Sequence, residues 1–412
     1  MANAKRHHVI VGGSAAGVSA ALSMRRAGFE GQITLVEADT AVPYQRPPLS
    51  KSFEDLDSPK VIVPEVTYDD HDVQLLSGER VASLDEDRRR VVLESGTDLQ
   101  ADSVLVATGV LPRRLGVPGD DLNNVLTLRD INDARALASR LDAGPLVVVG
   151  GGFIGLEVAA AARLRGQHVT VIEALRVPLT GALGDEVGSL VTNMHLARGV
   201  HVVTERTVVE LRGDGDVESV ILNDGSQLNA ATVVVGCGVS PNDELARRAG
   251  VFTDNGIVID EYGQTSRGWI WAAGDVATFE SPFTDRRQRI EHWNVAQGQG
   301  AVVGANMAGT ATAYRDVPYF WSDQYDSHLQ MYGRAVASDR LTIRPSSEHE
   351  GFLALWIRDD VLVAAASIGE SKQLRLAKNL IEHHVPVRET ELANPHQSLR
   401  ELVKQHKPQA FR

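Results

Sequence analysis

The apolar residues of this chain fall into short solid runs, separated by glycine turns and amphipathic stretches. His7 and His8 lead into Val9, Ile10 and Val11, an unbroken apolar run of the kind that a parallel strand buried on both faces requires. "GGSAAGVSAALSM" follows with apolar residues at helical spacing, and "GQITLVEAD" then reads as a second strand ending at Glu37. The same order of strand, glycine turn, helix and strand returns in "PLVVVGGGFIGLEVAAAARLRGQHVTVIEA", whose second strand ends at Glu173. The pattern changes near the C-terminus. "GFLALWIRDDVLVAAASIG" predicts two apolar strands around a charged turn at Asp359 and Asp360, and "KQLRLAKNLIEHH" predicts an amphipathic helix.

The opening "MANAKRHHVIVGGSAAGVSAALSM" also has the basic start and apolar run of a secretory signal. Its glycine spacing, and Arg25-Arg26 directly after, favour a buried strand and helix instead. No run is long enough to span a bilayer.

The glycines carry the first chemistry. Gly12 permits a tight turn and Gly17 lets the helix pack closely on the strand. Between them Ser14, Ala15 and Ala16 present backbone N–H groups at a helix N-terminus, suited to a pyrophosphate. Ser14 stands where a middle glycine is usual. The second unit has the full G-x-G-x-x-G in Gly150, Gly152 and Gly155, with Phe153 and Ile154 opening its helix. Glu37 and Glu173 are placed to accept hydrogen bonds from a ribose 2′-OH. Glu173 would repel a 2′-phosphate, which favours NADH over NADPH, and Arg176 nearby would soften that preference. Gly238 leaves room for the chain to approach NAD. Two dinucleotide sites in one chain suggest a tightly held flavin and a mobile nicotinamide.

Composition narrows the classes. A chain of 412 residues is too long for one ordinary core, so two or three domains are expected. The hydrophobic and charged fractions, 43% and 23%, are those of a soluble globular protein. A net charge of −13 argues against non-specific nucleic-acid binding. The one cysteine, Cys237, can form neither an internal disulfide nor a four-cysteine cluster, which points to the cytoplasm. Cys237 follows an apolar run and reads as a small core residue. The histidines show no H-x-x-x-H spacing, and no metal site is expected.

Further motifs resemble the flavoprotein reductases with two dinucleotide-binding domains. These are "VLVATG" (104–109) and "IWAAGDVA" (270–277), in order after the first glycine turn. The finer resemblance rests on "YQRPPLSK", "GGGFIGLEVAA", "RIEHWNVAQGQG" and "PYFWSDQYD", and covers nearly the whole chain. By it, the chain is identified as a member of the FAD-dependent NADH:ferredoxin reductases of bacterial oxygenase systems, the putidaredoxin reductase and biphenyl-dioxygenase reductase family. The resemblance implies an α/β fold of two Rossmann-like dinucleotide-binding domains, glutathione-reductase-like, plus a C-terminal α+β domain. The implied boundaries are 1–111 with 243–318 for FAD, 112–242 for NAD, and 319–412 for the C-terminal domain.

The resemblance also implies roles. Ala107, Thr108, Gly109 and Asp275 contact FAD, Asp275 at the ribityl chain. Arg46, Arg129 and the Val81 backbone are further FAD contacts. Glu291 lies near the nicotinamide, and the Trp293 backbone meets the flavin pyrimidine edge at a helix N-terminus. Lys51 lies near flavin N5 and pairs with Glu157, a pair that would join the two domains. Trp321 lines the exit side of the flavin ring. Pro47-Pro48 would hold Lys51 in an extended segment, with a helix starting just after it at Ser52 and Asp55. Electrons would pass from NADH through FAD, singly, to a 2Fe–2S ferredoxin (Rieske-type or adrenodoxin-like) that serves a monooxygenase or dioxygenase. Arg400, Lys404 and Lys407, or Arg286, Arg287 and Arg289, could steer an acidic ferredoxin. Alternatives are an NADH oxidase using oxygen and an NADH-sensing interaction flavoprotein. A disulfide reductase would need a cysteine near 43–51, and none is there.

Overall fold

The computed structural model describes residues 6–284, 286–346, 351–394 and 398–410, with side chains to Lys404. The chain groups into two compact units. The first comprises residues up to Gln45, Pro59–Leu111 and Ser240–Pro318; the second comprises Arg46–Ser58, Pro112–Val239 and the chain from Tyr319 onward.

In the first unit the apolar runs form a five-stranded parallel sheet. Its order is Ile270–Ala272, Ser103–Val106, His7–Val11, Gln32–Glu37, Val73–Ser77. Val9 sits between Val104 and Thr34, fully buried, as a central strand residue must be. The helix Ala15–Arg26 lies against Trp293–Met307 with backbones in close approach. A Cβ on Gly300 would stand 2.2 Å from Ala16 O, and one on Gly304 would stand 2.3 Å from Ala20 O. The glycine spacing in "GQGAVVGANM" is therefore a packing requirement. A three-stranded antiparallel sheet, Val81–Asp85, Arg90–Leu93 and Asp98–Gln100, flanks this core.

The second unit repeats the plan. Its parallel sheet runs His201–Val203, Val169–Ile172, Leu146–Val149, Thr232–Val235, Val125–Leu126. It too has an antiparallel flank, Val208–Arg212, Ser219–Leu222 and Gln227–Asn229. A five-stranded antiparallel sheet follows, in the order Tyr319–Gln324, Ser327–Gly333, Val361–Ile368, Phe352–Arg358, Arg340–Pro345. The turn expected at Asp359 and Asp360 is present, with φ of 48° and 58°, the left-handed pair that suits a tight hairpin. The amphipathic helix is Ser371–Glu382.

This grouping differs from the expected boundaries at two points. Residues 46–58 pack with the second unit, because Phe53 enters the core that holds Leu156 and Leu183. Leu329 and Trp356 of the antiparallel sheet enter that same core, so 112–239 and 319 onward share one interior. The segment around the prolines also differs. Pro47–Ser50 form a short 3₁₀ turn, not an extended stretch, and no helix starts at Ser52; the next one is Val66–Asp70. The ring-fixed proline φ suits a helix start as well as an extended chain, and Asp55 at φ 53° is incompatible with a helix there.

Candidate functional site

Each parallel sheet presents a cradle at the end of its central strand. In the first, Gly12 has φ 107°, and a Cβ there would stand 2.4 Å from Ala107 O. A Cβ on Gly17 would stand 1.9 Å from Gly12 O, so both positions require glycine. In the second cradle the same two contacts recur, Gly150 against Gly236 O at 2.4 Å and Gly155 against Gly150 O at 2.1 Å.

The acidic residues close both loops in the same way. Glu37 accepts from Gly13 N at 2.5 Å and Asp39 N at 2.9 Å. Glu173 accepts from Gly151 N and Leu175 N, both at 2.8 Å. Each carboxylate oxygen keeps a lone pair for a ribose hydroxyl.

The middle position explains Ser14. Gly152 is extended, φ −78° and ψ 179°, and a Cβ there would meet nothing within 4 Å. Ser14 has nearly the same geometry, φ −97° and ψ −159°, and its hydroxyl caps no amide of its own helix. Neither position demands glycine for its backbone, so a small polar residue is accommodated. The first-turn amides of Ala15–Arg26 and Phe153–Leu164 lack helical partners by construction. Both cradles thus fit a dinucleotide pyrophosphate.

Other residues expected to contact FAD lie in the first unit. Thr108 Oγ1 donates to Asn242 O at 2.7 Å, and Asn242 N donates to Gly109 O at 2.9 Å. Asp275 lies in the short 3₁₀ turn Gly274–Val276, tied down by Gly274 N donating to buried Gln299 at 2.7 Å. Gln299 was not singled out from sequence, although it lies in the quoted "AQGQG". Trp293 opens its helix, and the His292 side chain does not cap it. Val81 begins the antiparallel flank. Arg289 pairs with Glu291 at 2.6 Å and donates to Asp275 O at 3.2 Å, with its side chain 7% exposed. That burial removes Arg289 from the basic cluster proposed for docking. Arg286 and Arg287 remain exposed.

In the second unit a buried polar cluster forms around Glu157. Lys51 Nζ donates to Glu157 Oε1 at 2.6 Å and lies 3.2 Å from Asp323 Oδ2. Ser322 Oγ donates to Glu157 Oε1 at 2.6 Å, and Ser50 Oγ donates to Oε2. Lys51 and Glu157 both lie in the second unit, to which 46–58 belongs by its packing. Arg46 Nη1 donates to Arg129 O at 2.9 Å.

Ser50, Ser322 and Asp323 were missed as site residues. Ser322 and Asp323 lie in the quoted "FWSDQ", and strand alternation separates their faces. The inward face continues to Gln324, whose Oε1 lies 2.8 Å from His195 Nε2. Tyr325 OH lies 3.0 Å from His195 Nδ1, and burial lowers the pKa of this fully buried imidazole.

Trp321 is half-buried on the outward face, beside Tyr319 at a ring separation of 6.0 Å, so it is not a core aromatic. Phe153 packs on Phe320 at a ring separation of 4.6 Å and is half-buried, while Ile154 is exposed. Arg176 is ion-paired with Asp185, whose carboxyl the Thr180 and Arg176 hydrogen bonds hold down. Gly238 is exposed at φ 94° with open space at its Cβ position.

Cys237 is exposed, contrary to the core reading, because it lies beyond the buried strand Thr232–Val235. Local desolvation still pushes its thiol up. Arg400 and Lys404 are exposed, and the Lys407 side chain lies outside the described residues. Among the described residues no group of His, Cys, Asp or Glu is arranged to hold a metal, and no helix is long and apolar enough to cross a membrane.

Two like cradles, each with its own acidic clasp, define a protein built to hold two dinucleotides. The pyridine nucleotide-disulphide oxidoreductase family matches residues 6–300, and a family described as reductase C-terminal matches 319–403. The chain is 38% identical over 404 residues to rhodocoxin reductase of Rhodococcus erythropolis, covering 97% of this chain and 95% of that one. It is 35% identical over 412 residues to putidaredoxin reductase of Pseudomonas putida, covering 97% of each. A crystal structure of the covalent putidaredoxin reductase–putidaredoxin complex superimposes with a TM-score of 0.93 at 34% identity, covering 98% of this chain and all of that one. The chain belongs to the pyridine nucleotide-disulphide oxidoreductase family and, within it, to the ferredoxin reductases of oxygenase systems.

Proposed function

We propose that this chain is an NADH-dependent flavoprotein reductase that passes electrons to a 2Fe–2S ferredoxin serving a monooxygenase or dioxygenase. The carrying observation is near-full-length similarity to ferredoxin reductases, combined with two glycine cradles and a single cysteine. With no cysteine pair, the chain has no internal dithiol to receive the electrons. We assign FAD to 1–111 with 243–318, NADH to 112–242, and the acceptor side to 319–412, in the cytoplasm.

When bound, FAD would supply the redox chemistry, taking up an electron pair from NADH and releasing single electrons. The chain's residues bind and tune. Gly12, Ser14, Ala15, Ala16 and Gly17 offer amides to the flavin's pyrophosphate, and Glu37 holds its ribose. Ala107, Thr108, Gly109, Asp275, Arg46, Arg129 and the backbones of Val81 and Trp293 complete the FAD contacts. Gly150, Gly152, Phe153, Ile154 and Gly155, with Gly238, serve NADH. Glu173 selects the free 2′-OH, and because Asp185 holds Arg176, that preference is little softened.

By the family resemblance, Lys51 with Glu157 supplies a fixed cation to the flavin, Glu291 serves the nicotinamide, and Trp321 walls the exit side. A cation there favours the electron-rich state of a bound redox group.

The test is anaerobic reduction of the purified holoenzyme by NADH, followed by a comparison of ferredoxins and oxygen as acceptors. Rapid ferredoxin reduction supports the assignment. Fast turnover with oxygen, and none with any ferredoxin, would make the chain an oxidase.

A further inference from the structure

Lys51 faces two carboxylates. Its side chain is 15% exposed, with Glu157 at 2.6 Å on one side and Asp323 at 3.2 Å on the other. Asp323 lies on the edge strand Tyr319–Gln324, and its Cα is in register with that of His328 on the next strand. His328 Nδ1 bonds Asp323 Oδ1, while Lys51 takes Oδ2. The hairpin register therefore holds the carboxylate from one side and leaves its other oxygen for the ammonium. Alternation puts Tyr319, Trp321 and Asp323 on one strand face, so this second carboxylate draws Lys51 toward the face that carries Trp321.

We propose that Asp323, held in place by the His328 ring across the hairpin, is a positioning residue for Lys51. Burial alone would push the Asp323 carboxyl up, but the His328 hydrogen bond and the Lys51 charge outweigh it and hold the carboxyl below its ordinary value. Other charges around the hairpin are accounted for. Arg198, at the end of Thr180–Ala197, pairs with Asp326 in the turn at 2.7 Å. The adjoining strand Val361–Ile368 carries no ionisable side chain, and the helix packed on this sheet, Ser371–Glu382, carries Lys372, Arg375, Lys378 and Glu382.

The proposal rests on the reading that Lys51 serves a bound flavin, and two measurements separate the parts. The first is the position of Lys51 in crystal structures of the full-length holoenzyme. In Asp323→Asn, Lys51 Nζ should leave residue 323 and stay with Glu157 alone, and in His328→Gln the Asp323 carboxylate should lose its fixed orientation. A Lys51 unmoved in both variants overturns the proposal, whatever Lys51 meets.

The second is the midpoint potential of bound FAD, read without acceptor. Asp323→Asn should raise it, since a lost negative charge favours the electron-rich state. A potential identical to the parent's in Asp323→Asn also overturns the proposal. Asp323 and His328 are 39% and 48% exposed, so both variants should fold. Ferredoxin reduction by the unaltered enzyme is followed alongside, so a failure of the reductase reading appears there alone.

Discussion

Ser322 Oγ and Lys51 Nζ reach the same oxygen of Glu157, each at 2.6 Å. A neutral hydroxyl and a cation thus share one acceptor inside the second unit. The hydroxyl is itself the acceptor for Gln324 Nε2 at 3.0 Å, and Gln324 is joined to buried His195. Ser322→Ala would strip a donor from Glu157 and an acceptor from Gln324 together. The expected loss is about 1–2 kcal/mol of stability, read as a lower urea midpoint. An unchanged midpoint would mean that water replaces the hydroxyl.

Lys51→Met removes the cation from this cluster and leaves Glu157 and Asp323 facing each other. The bound flavin should become harder to reduce, so its midpoint potential should fall. A redox titration with the potential unmoved would remove Lys51 from the flavin's surroundings.

Glu173 should govern coenzyme choice. Glu173→Ala loses the ribose acceptor and opens the loop that Gly151 N and Leu175 N close. KM for NADH should rise on the order of tenfold, with a smaller effect on NADPH. Equal loss for both coenzymes would indicate loop damage without selection.

His8 gives the first unit a pH dependence. Its ring is buried and stacked on Phe29 at 4.4 Å; burial first, and then the Arg6 charge, pushes its pKa down to about 4. The unfolded chain binds the proton more tightly, with a pKa near 6.5. The contribution is therefore full above that value and is lost as pH falls through about 4, in total on the order of 3 kcal/mol. Denaturation midpoints followed from neutral pH to pH 5 should decline, and His8→Phe should flatten the decline. Buried His195 acts in the same direction, so some slope should persist.

Gly300→Ala tests the helix contact. Its new methyl would overlap Ala16 O, at a cost of about 1–3 kcal/mol. Because Ala16 belongs to the first cradle, FAD should be lost more readily on dialysis. Gly304→Ala, one helical turn away against Ala20, should destabilise with less flavin loss.

The sequence made the repeated cradle legible because its constraints are local. A glycine at positive φ, a buried strand and an acidic strand end all leave marks within thirty residues. The Glu157 cluster was only half legible. Lys51 and Glu157 came from a resemblance, while Ser50 and Ser322 looked like ordinary small polar residues, because partners far apart in sequence leave no periodic trace. Pro47-Pro48 misled for a different reason: a fixed φ is shared by extended chain and 3₁₀ turn, and tertiary packing of Phe53 chose between them. Cys237 looked buried because the apolar run before it is, but the buried strand ends at Val235.

The carboxylate clasps have one more consequence. Glu37 and Glu173 tie the Gly13 and Gly151 amides to the protein's own carboxylates. A loop fixed by its own chain has less freedom to lose when a coenzyme arrives, and the same loop design can then serve a tightly held group at one site and an exchanging one at the other.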